Sequence, residues 1–301
     1  MRSFTIVARA ESGQGKSHRI ARTVYERLKN HGAACQLLIT SPEQTLRELV
    51  ERSLHQHAEI QQKDWCLVIC GGDGAIQEAI NAVMAQPTSQ LLLGLAPAGT
   101  CNDFAHGLAL SPAPEEIVNV LLNGVPHAID LGLAGEKHFC TIATVGLEST
   151  VNRFLRDHKT YSPRRWLFVL TAAWQLMILK AVQLQVTIDG EAQEASILNL
   201  VAANTRSYGG RVRIAPLANP TDGRLDLLMI QSRSRLSRMF TLLDALRGRH
   251  LNRREVSYQP VKRIKIESRQ PYEVWADGEP LGTTPIEISV VPAALRILRP
   301  S

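Results

Sequence analysis

Three glycine-rich stretches and two acidic turns hold the residue types from which chemistry could be built. Gly71-Gly72-Asp73-Gly74-Ala75-Ile76-Gln77-Glu78 follows a continuous apolar run at 65–70 and leads into a helical pattern of Ile76, Ala79, Ile80 and Val83. Glycines after a buried strand let backbone approach a ligand closely. The helix start that follows offers unpaired N–H groups and a positive dipole end to a phosphate. Asp73 suits a metal or a hydroxyl better than the phosphate itself. Pro97-Ala98-Gly99-Thr100-Cys101-Asn102-Asp103-Phe104-Ala105 is a second turn after an apolar run, at 91–95. The carboxyl ends of strands are where open α/β sheets bind ligands, so two such loops on one edge point to a nucleotide crevice. A tight strand-to-helix turn with no ligand is the alternative for either loop.

The third stretch, Ala10-Glu-Ser-Gly-Gln-Gly-Lys-Ser17, approximates a phosphate-binding P-loop, with alanine where the first glycine usually stands. A working P-loop also needs an acid ending another strand to hold magnesium, and Asp73 sits inside a glycine turn. A looser phosphate contact and a plain flexible turn are the competing readings. The acidic turns are Asp222-Gly223 and Asp277-Gly278, both also ordinary hairpin sequences. His106, His127 and His138 lack metal-ligand spacing, and no nucleophile elbow is present.

The elements that must position these residues alternate strictly over the first 130 residues. Strands are expected at 4–8, 35–39, 65–70 and 91–95. Between them lie helical stripes of Ile20, Val24 and Leu28, of Leu46, Leu49, Val50 and Leu54, and the pattern after Gly74. Ser41-Pro42-Glu43-Gln44 reads as the start of the second helix, with Ser as cap and Pro at the first position. Such alternation predicts a doubly wound, Rossmann-like α/β domain over 1–130. After that the pattern changes to strands at 129–133, 138–144, 184–188, 197–203, 225–230, 261–267 and 272–276, with Asp-Gly turns among them. Helical segments interrupt near 163–181 and 234–248. This predicts a mainly antiparallel β-sandwich domain over 131–285.

The 301 residues are 45% hydrophobic and 21% charged, which excludes a disordered or collagen-like chain. The five cysteines, at 35, 66, 70, 101 and 140, are too scattered for a disulfide framework and suit a reducing compartment. The start reads as a strand rather than a signal peptide, and the apolar stretch at 166–182 reads as a packed helix rather than a membrane span. Net charge is +6, but residues 204–269 hold 15 Lys and Arg against 5 Asp and Glu, leaving the remainder near −4. Such asymmetry suits an anionic partner or, more plainly, a solvated face. No aromatic residues interleave with these arginines, so nucleic acid is not expected.

The order GGDG at 71–74, NDFA at 102–105, DGRLD at 222–226 and DGEPL at 277–281 resembles the catalytic-domain pattern of the diacylglycerol kinase family. Asn204-Thr-Arg-Ser-Tyr-Gly-Gly210 and the tail from Ile286 to Arg296 resemble its bacterial YegS-like lipid kinases. The resemblance covers essentially the whole chain, and it implies that the tail at 286–301 returns to pack on the first domain. GGDG alone is shared with NAD kinases; the ordered combination is specific.

The resemblance implies a cytoplasmic, membrane-peripheral enzyme that phosphorylates a diacylglycerol- or phosphatidylglycerol-like lipid in a cleft between two domains. ATP would lie against Gly72, Asp73, Gly74, Ala75, Ile76, Gln77 and Glu78, with Thr100 and Thr40 nearby. Magnesium would sit at Asn219, Asp222 and Arg224, through backbone oxygens at the first and last. Glu279 would be the general base, and Asp130 an acid of the same site. The family usually has Thr where this chain has Ala75, which removes a hydroxyl and implies weaker ATP binding. A small-molecule kinase of the NAD kinase type, or a non-catalytic nucleotide- or lipid-binding member, is the alternative.

Overall fold

The computed structural model describes residues 2–10, 15–60, 64–86, 91–147, 150–151, 174–175, 177–210, 212–231 and 234–300. The chain forms two compact units: Met1–Ile129 with Ala293–Ser301, and Asp130–Pro292.

In the first unit, β1 (Ser3–Ala8), β2 (Cys35–Ile39), β3 (Trp65–Gly71) and β4 (Leu92–Pro97) form a parallel sheet in the order β2-β1-β3-β4. The end of β15 (Ile286–Arg299) extends it, with Arg296 and Ile297 parallel to Leu92 and Leu93. The helices are α1 (Lys16–Asn30), α2 (Leu46–Ile60), α3 (Asp73–Met84), α4 (Asp103–Gly107) and α5 (Pro114–Asn123). Phe4, Ile6 and Ala8 of β1 and Cys66, Val68 and Cys70 of β3 share one core with Ala21, Val24 and Leu28 of α1 and Ile117, Val118 and Leu121 of α5. The alternate residues Val7, Leu67 and Ile69 are also fully buried, and α2 and α3 pack on β1 and β3. Covered on both faces, β3 must be apolar throughout. The strand order reverses between β1 and β3, and both of these strands end in a glycine-rich loop. That reversal is where an open α/β sheet leaves room for a ligand.

Two local expectations for this unit need correction. Ser41 and Gln44 pair with each other in a turn and do not start a helix. The helix begins at Leu46, where the Thr45 N–H donates to Glu48 Oε2 at 2.8 Å and the Glu48 N–H to Thr45 Oγ1 at 3.2 Å. This is a capping box placed where the apolar stripe begins. Helices α4 and α5, not anticipated from the sequence, follow the second glycine turn.

The second unit runs from residue 130 of β5 (Val125–Ala134) to residue 292 of β15. Its strands are β6 (Lys137–Phe139), β7 (Ile142–Gly146), β8 (Val182–Ile188), β9 (Glu191–Ala203), β10 (Leu225–Gln231), β11 (Val256–Val261), β12 (Arg263–Glu267), β13 (Glu273–Ala276) and β14 (Glu279–Thr283). They run β14-β13-β7-β9-β8-β12-β15, antiparallel at each step, while β10 joins β9 to β11 and β6 pairs with β5. Alternate residues of these strands meet in one core, including Val145, Val186, Leu200, Leu227, Ile264, Val274 and Ile288. The other side of β7, β9 and β10 is covered by Ile214, Ala215 and Ala218.

Two runs expected as single strands are each divided. The run at 138–144 breaks at Cys140-Thr141, and the run at 261–267 breaks at Lys262. In both cases a distant aspartate takes the backbone N–H groups. Asp277 accepts from Cys140, Thr141 and Ile142, and Asp189 accepts from Lys262 and Arg263. The helical segment near 234–248 is α6 (Arg235–Leu246), capped by Ser234, whose Oγ accepts from the Ser237 N–H. The one expected near 163–181 lies largely outside the described residues. Among the described residues no helix is long and apolar enough to cross a membrane.

Gly132 of β5 sits opposite Phe139 of β6, and a Cβ there would overlap the Phe139 ring, which is fully buried. Gly132→Ala should therefore lower stability by about 1–3 kcal/mol, as overpacking does. A urea midpoint equal to that of the wild type would show that the ring relocates freely.

Candidate functional site

The two glycine turns of the first unit are locked together by backbone. The Ala98 N–H donates to the Gly71 carbonyl at 2.8 Å. A Cβ on Gly99 would lie 2.5 Å from Gly72 Cα and 2.9 Å from Asn102 Oδ1, so only glycine permits this approach. Asn102, at a left-handed φ of 52°, closes its own loop: its Oδ1 accepts from the Gly99 N–H and its Nδ2 donates to the Gly99 carbonyl. Asp73 Oδ1 accepts from the Phe104 N–H at 3.2 Å. The aspartate read as a metal or hydroxyl partner therefore anchors the second loop to the first.

The expected nucleotide residues divide by what they can offer. Gly72 is extended and no side chain caps α3, so the helix start presents backbone N–H groups. A Cβ on Gly74 would meet nothing within 4 Å, which leaves open space beside that start. Ala75 and Ile76 point into the core, and Gln77 is buried, so Ala75 and Ile76 can meet a ligand through backbone alone. Glu78 pairs with Arg9 and accepts from the Arg47 N–H. Thr40 Oγ1 accepts from the Ala10 N–H at 2.9 Å, fastening the start of the first glycine loop. Thr100 is exposed. Burial pushes the Cys101 thiol up to about 11, and the charges of Asp103 and Asp73 add to this.

The P-loop reading of the third stretch is corrected at its last residue. Ser17, which a P-loop would aim at magnesium, is fully buried and donates its hydroxyl to the Cys70 carbonyl at 2.9 Å. Gly15 caps α1 at φ 82°, and residues 11–14 lie outside the described residues.

In the second unit, buried Asp130 holds the loop at 219–224 from two sides. Its N–H donates to the Pro220 carbonyl, and its Oδ2 accepts from the Gly223 N–H at 2.7 Å. Asp222 is left exposed at the tip, with Oδ1 accepting from the Arg224 N–H at 3.0 Å. Asn219 Oδ1 accepts from the Thr221 hydroxyl at 2.9 Å. One carboxylate among backbone oxygens is a hard-donor set that fits magnesium. Arg224, Lys262 and Arg263 line the same open pocket as Asp222, so an ion here is held against neighbouring positive charge.

Asp277-Gly278 links β13 to β14 with both residues at positive φ, 49° and 85°, as a two-residue type I′ hairpin requires. The Asp277 carboxylate accepts the N–H groups of Cys140 and Thr141 at 2.6 and 2.8 Å, that of Ile142 at 3.2 Å, and the Thr141 hydroxyl. Burial pushes this carboxyl up, and the four hydrogen bonds oppose that by favouring its charged form. Glu279 follows directly, exposed, paired with Ala276. Asn204, fully buried, donates from Nδ2 to both the Asp130 and Cys140 carbonyls at 2.9 Å. The loop bearing Asp222 and the hairpin bearing Glu279 are thus tied through Asp130, Asn204, Cys140 and Asp277. Sequence reasoning assigned no role to Asn204, Asn102 or Asp277, although each stood inside a motif it quoted.

Comparison with known proteins shows the family and the fold. Residues 3–134 match the diacylglycerol kinase catalytic domain, and residues 141–299 match the YegS C-terminal NAD kinase beta sandwich-like domain. A diacylglycerol kinase of Mycobacterium tuberculosis is 31% identical over 297 residues, covering 96% of this chain and 92% of the relative. One of Bacillus subtilis is 27% identical over 77% of each chain. The crystal structure of a diacylglycerol kinase from Bacillus anthracis superposes with a TM-score of 0.76 at 19% identity, over 99% of this chain and 96% of that one. At that identity the likeness is one of fold.

The open space at Gly74 separates a ligand role from a folding role. Gly74→Val should leave the fold intact and weaken ATP binding about tenfold or more, the worth of a hydrogen bond to a charged group. Titration calorimetry reads this, and an unchanged Kd in the folded variant would remove the turn from the nucleotide site.

Proposed function

Since the chain belongs to the diacylglycerol kinase family of lipid kinases, we propose that it transfers the γ-phosphoryl group of ATP to a hydroxyl of a diacylglycerol- or phosphatidylglycerol-like lipid, with magnesium. The observation that carries this reading is the tie between the Asp222 loop and the Glu279 hairpin through Asp130, Asn204 and Asp277. A chain that bound lipid or nucleotide without chemistry would have no use for an exposed carboxylate held this firmly.

The roles follow from the chemistry each group can offer. The backbone of Gly72 to Ala75 receives phosphate at the start of α3, where the dipole end favours negative charge. Thr100 borders the nucleotide from the second turn, and Glu78 and Thr40 hold the surrounding loops. Asp222, with backbone oxygens of Asn219 and Arg224, would hold magnesium, which neutralises phosphate charge when bound. Glu279 takes the proton from the acceptor hydroxyl as that oxygen bonds to the γ-phosphorus. The bond from phosphorus to the bridging oxygen breaks, and ADP leaves. Without the usual threonine hydroxyl at 75, the phosphates rely on backbone N–H groups alone. The work is done at an anionic membrane face, where the acceptor resides.

Glu279→Gln keeps size and hydrogen bonding but cannot accept the proton. Its turnover on diacylglycerol should fall by roughly 10²–10⁴-fold with the ATP affinity unchanged. Turnover at the wild-type rate would remove Glu279 as base, and lost ATP binding would make it structural. Asp222→Ala should raise the magnesium concentration for half-maximal rate. An unaltered magnesium profile would move the ion elsewhere.

A further inference from the structure

Helix α6 is apolar on two sides: Leu242 packs on buried Leu147, Val151 and Leu198, while a second apolar stripe faces solvent. Thr241 and Ala245 are its buried residues, and its inward polar contacts are made by Ser237 and Thr241, whose hydroxyls reach Glu255 Oε1 at 2.5 and 2.8 Å. Burial pushes the Glu255 carboxyl up, but the two hydroxyls, a backbone hydrogen bond and the Arg253 charge together hold the group below its usual range. Arg238 Nη1 donates to the Leu179 carbonyl at 2.9 Å. The opposite face carries Leu236, Phe240 and Leu243, which are 74%, 52% and 39% exposed. At i, i+4 and i+7 these form one stripe along the helix. Trp174 and Ile178, each 54% exposed, add to the apolar surface from the segment that Arg238 bonds.

We propose that this stripe is the surface by which the protein docks on an anionic lipid bilayer, with Leu236, Phe240 and Leu243 entering the headgroup and acyl boundary. The inference rests on the lipid-kinase reading and identifies the surface that brings the enzyme to its substrate. A surface helix of a soluble protein normally turns its apolar stripe inward, and an amphipathic helix lying on a membrane turns it towards lipid. Charge selects the occupant. Arg235, Arg247, Arg249 and Arg254 are exposed around the stripe. The two acids nearby are engaged: Asp244 with Arg253 at 2.6 Å, and Glu255 with the two hydroxyls. Arg253 also stands over the Phe240 ring at 5.5 Å. A second copy of the chain would bring a matching set of arginines against these, whereas phosphatidylserine headgroups complement them. Arg233, of the same basic segment, lies outside the described residues.

The test is cosedimentation of the full chain with phosphatidylcholine vesicles, with and without phosphatidylserine. The wild type should bind the anionic vesicles and leave the neutral ones. Leu236→Ser/Phe240→Ser/Leu243→Ser should lower that binding at least about tenfold, since each buried side chain is worth more than a factor of ten. Circular dichroism and turnover on a water-soluble short-chain diacylglycerol should not change. Phe240→Trp should show added fluorescence quenched by brominated lipid. The proposal is overturned if the triple variant binds as well as the wild type, or if the added tryptophan is not quenched. It also falls if the wild type is a dimer that the triple variant dissolves while vesicle binding persists, because the stripe is then a copy-to-copy interface. Vesicle binding without phosphorylation of any lipid would sink the kinase reading and leave the docking surface standing.

Discussion

A single carboxylate organises the chemistry of the second unit. Asp277 stands at a left-handed φ in a two-residue turn and gathers three consecutive backbone N–H groups and a hydroxyl. Those N–H groups would otherwise be unsatisfied where the strand breaks at Cys140-Thr141, and buried backbone donors must be paired. One interaction therefore ends β6, starts β7, and pins the hairpin whose next residue is Glu279. Replacing Asp277 by an apolar residue would free the hairpin and orphan the strand break together. Asn204 extends the same bonding to Asp130, so the Glu279 carboxylate and the Asp222 carboxylate ride on one buried polar network. The tie runs through the two Asn204 Nδ2 donations, while its buried Oδ1 has no partner among the described residues.

The first unit uses close backbone approach where the second uses carboxylates. Gly72 and Gly99 touch, Asn102 closes the second turn on itself, and Asp73 bonds across from the first turn to the second. This explains why the motifs occur as a pair: the second turn is the support of the first. The nucleotide site proposed here thus depends less on side chains aimed at a ligand than on side chains that hold glycine backbone still. Ala75 fits this pattern, since its methyl group is buried and its position contributes backbone in any case.

What the sequence makes legible follows from the range of the forces involved. The run at 65–70 with its glycines announces a central parallel strand and turn because burial on both faces acts residue by residue. The strand breaks were not legible, because the carboxylates that cause them lie 137 and 73 residues away along the chain. The start of α2 was misread because Ser41 to Gln44 and Thr45 to Glu48 both have the spacing of a capping box; only the second stands where the apolar stripe begins. Glu279, Asp222 and the glycine turn enter the proposed site through their motifs, whereas Asn204 and Asp277 look like ordinary loop residues in the sequence. Their importance lies in partners that local pattern does not contain.

Helix α6 shows a further limit of pattern. Periodicity marks a stripe of Leu236, Phe240 and Leu243 but is silent on which way the helix turns it. Here the orientation is decided by the inward side: Leu242 packs on Leu147, Val151 and Leu198, and buried Glu255 requires partners that Ser237 and Thr241 supply only if their face is inward. Turning the stripe inward would strand that carboxylate at a cost of several kcal/mol, which opposes the gain from burying three apolar side chains. The face bearing Ser237, Thr241 and Leu242 is therefore fixed against the unit, and the stripe of Leu236, Phe240 and Leu243 is left outside for a second, non-aqueous phase. An enzyme whose substrate dissolves only in that phase has a physical reason to keep it so.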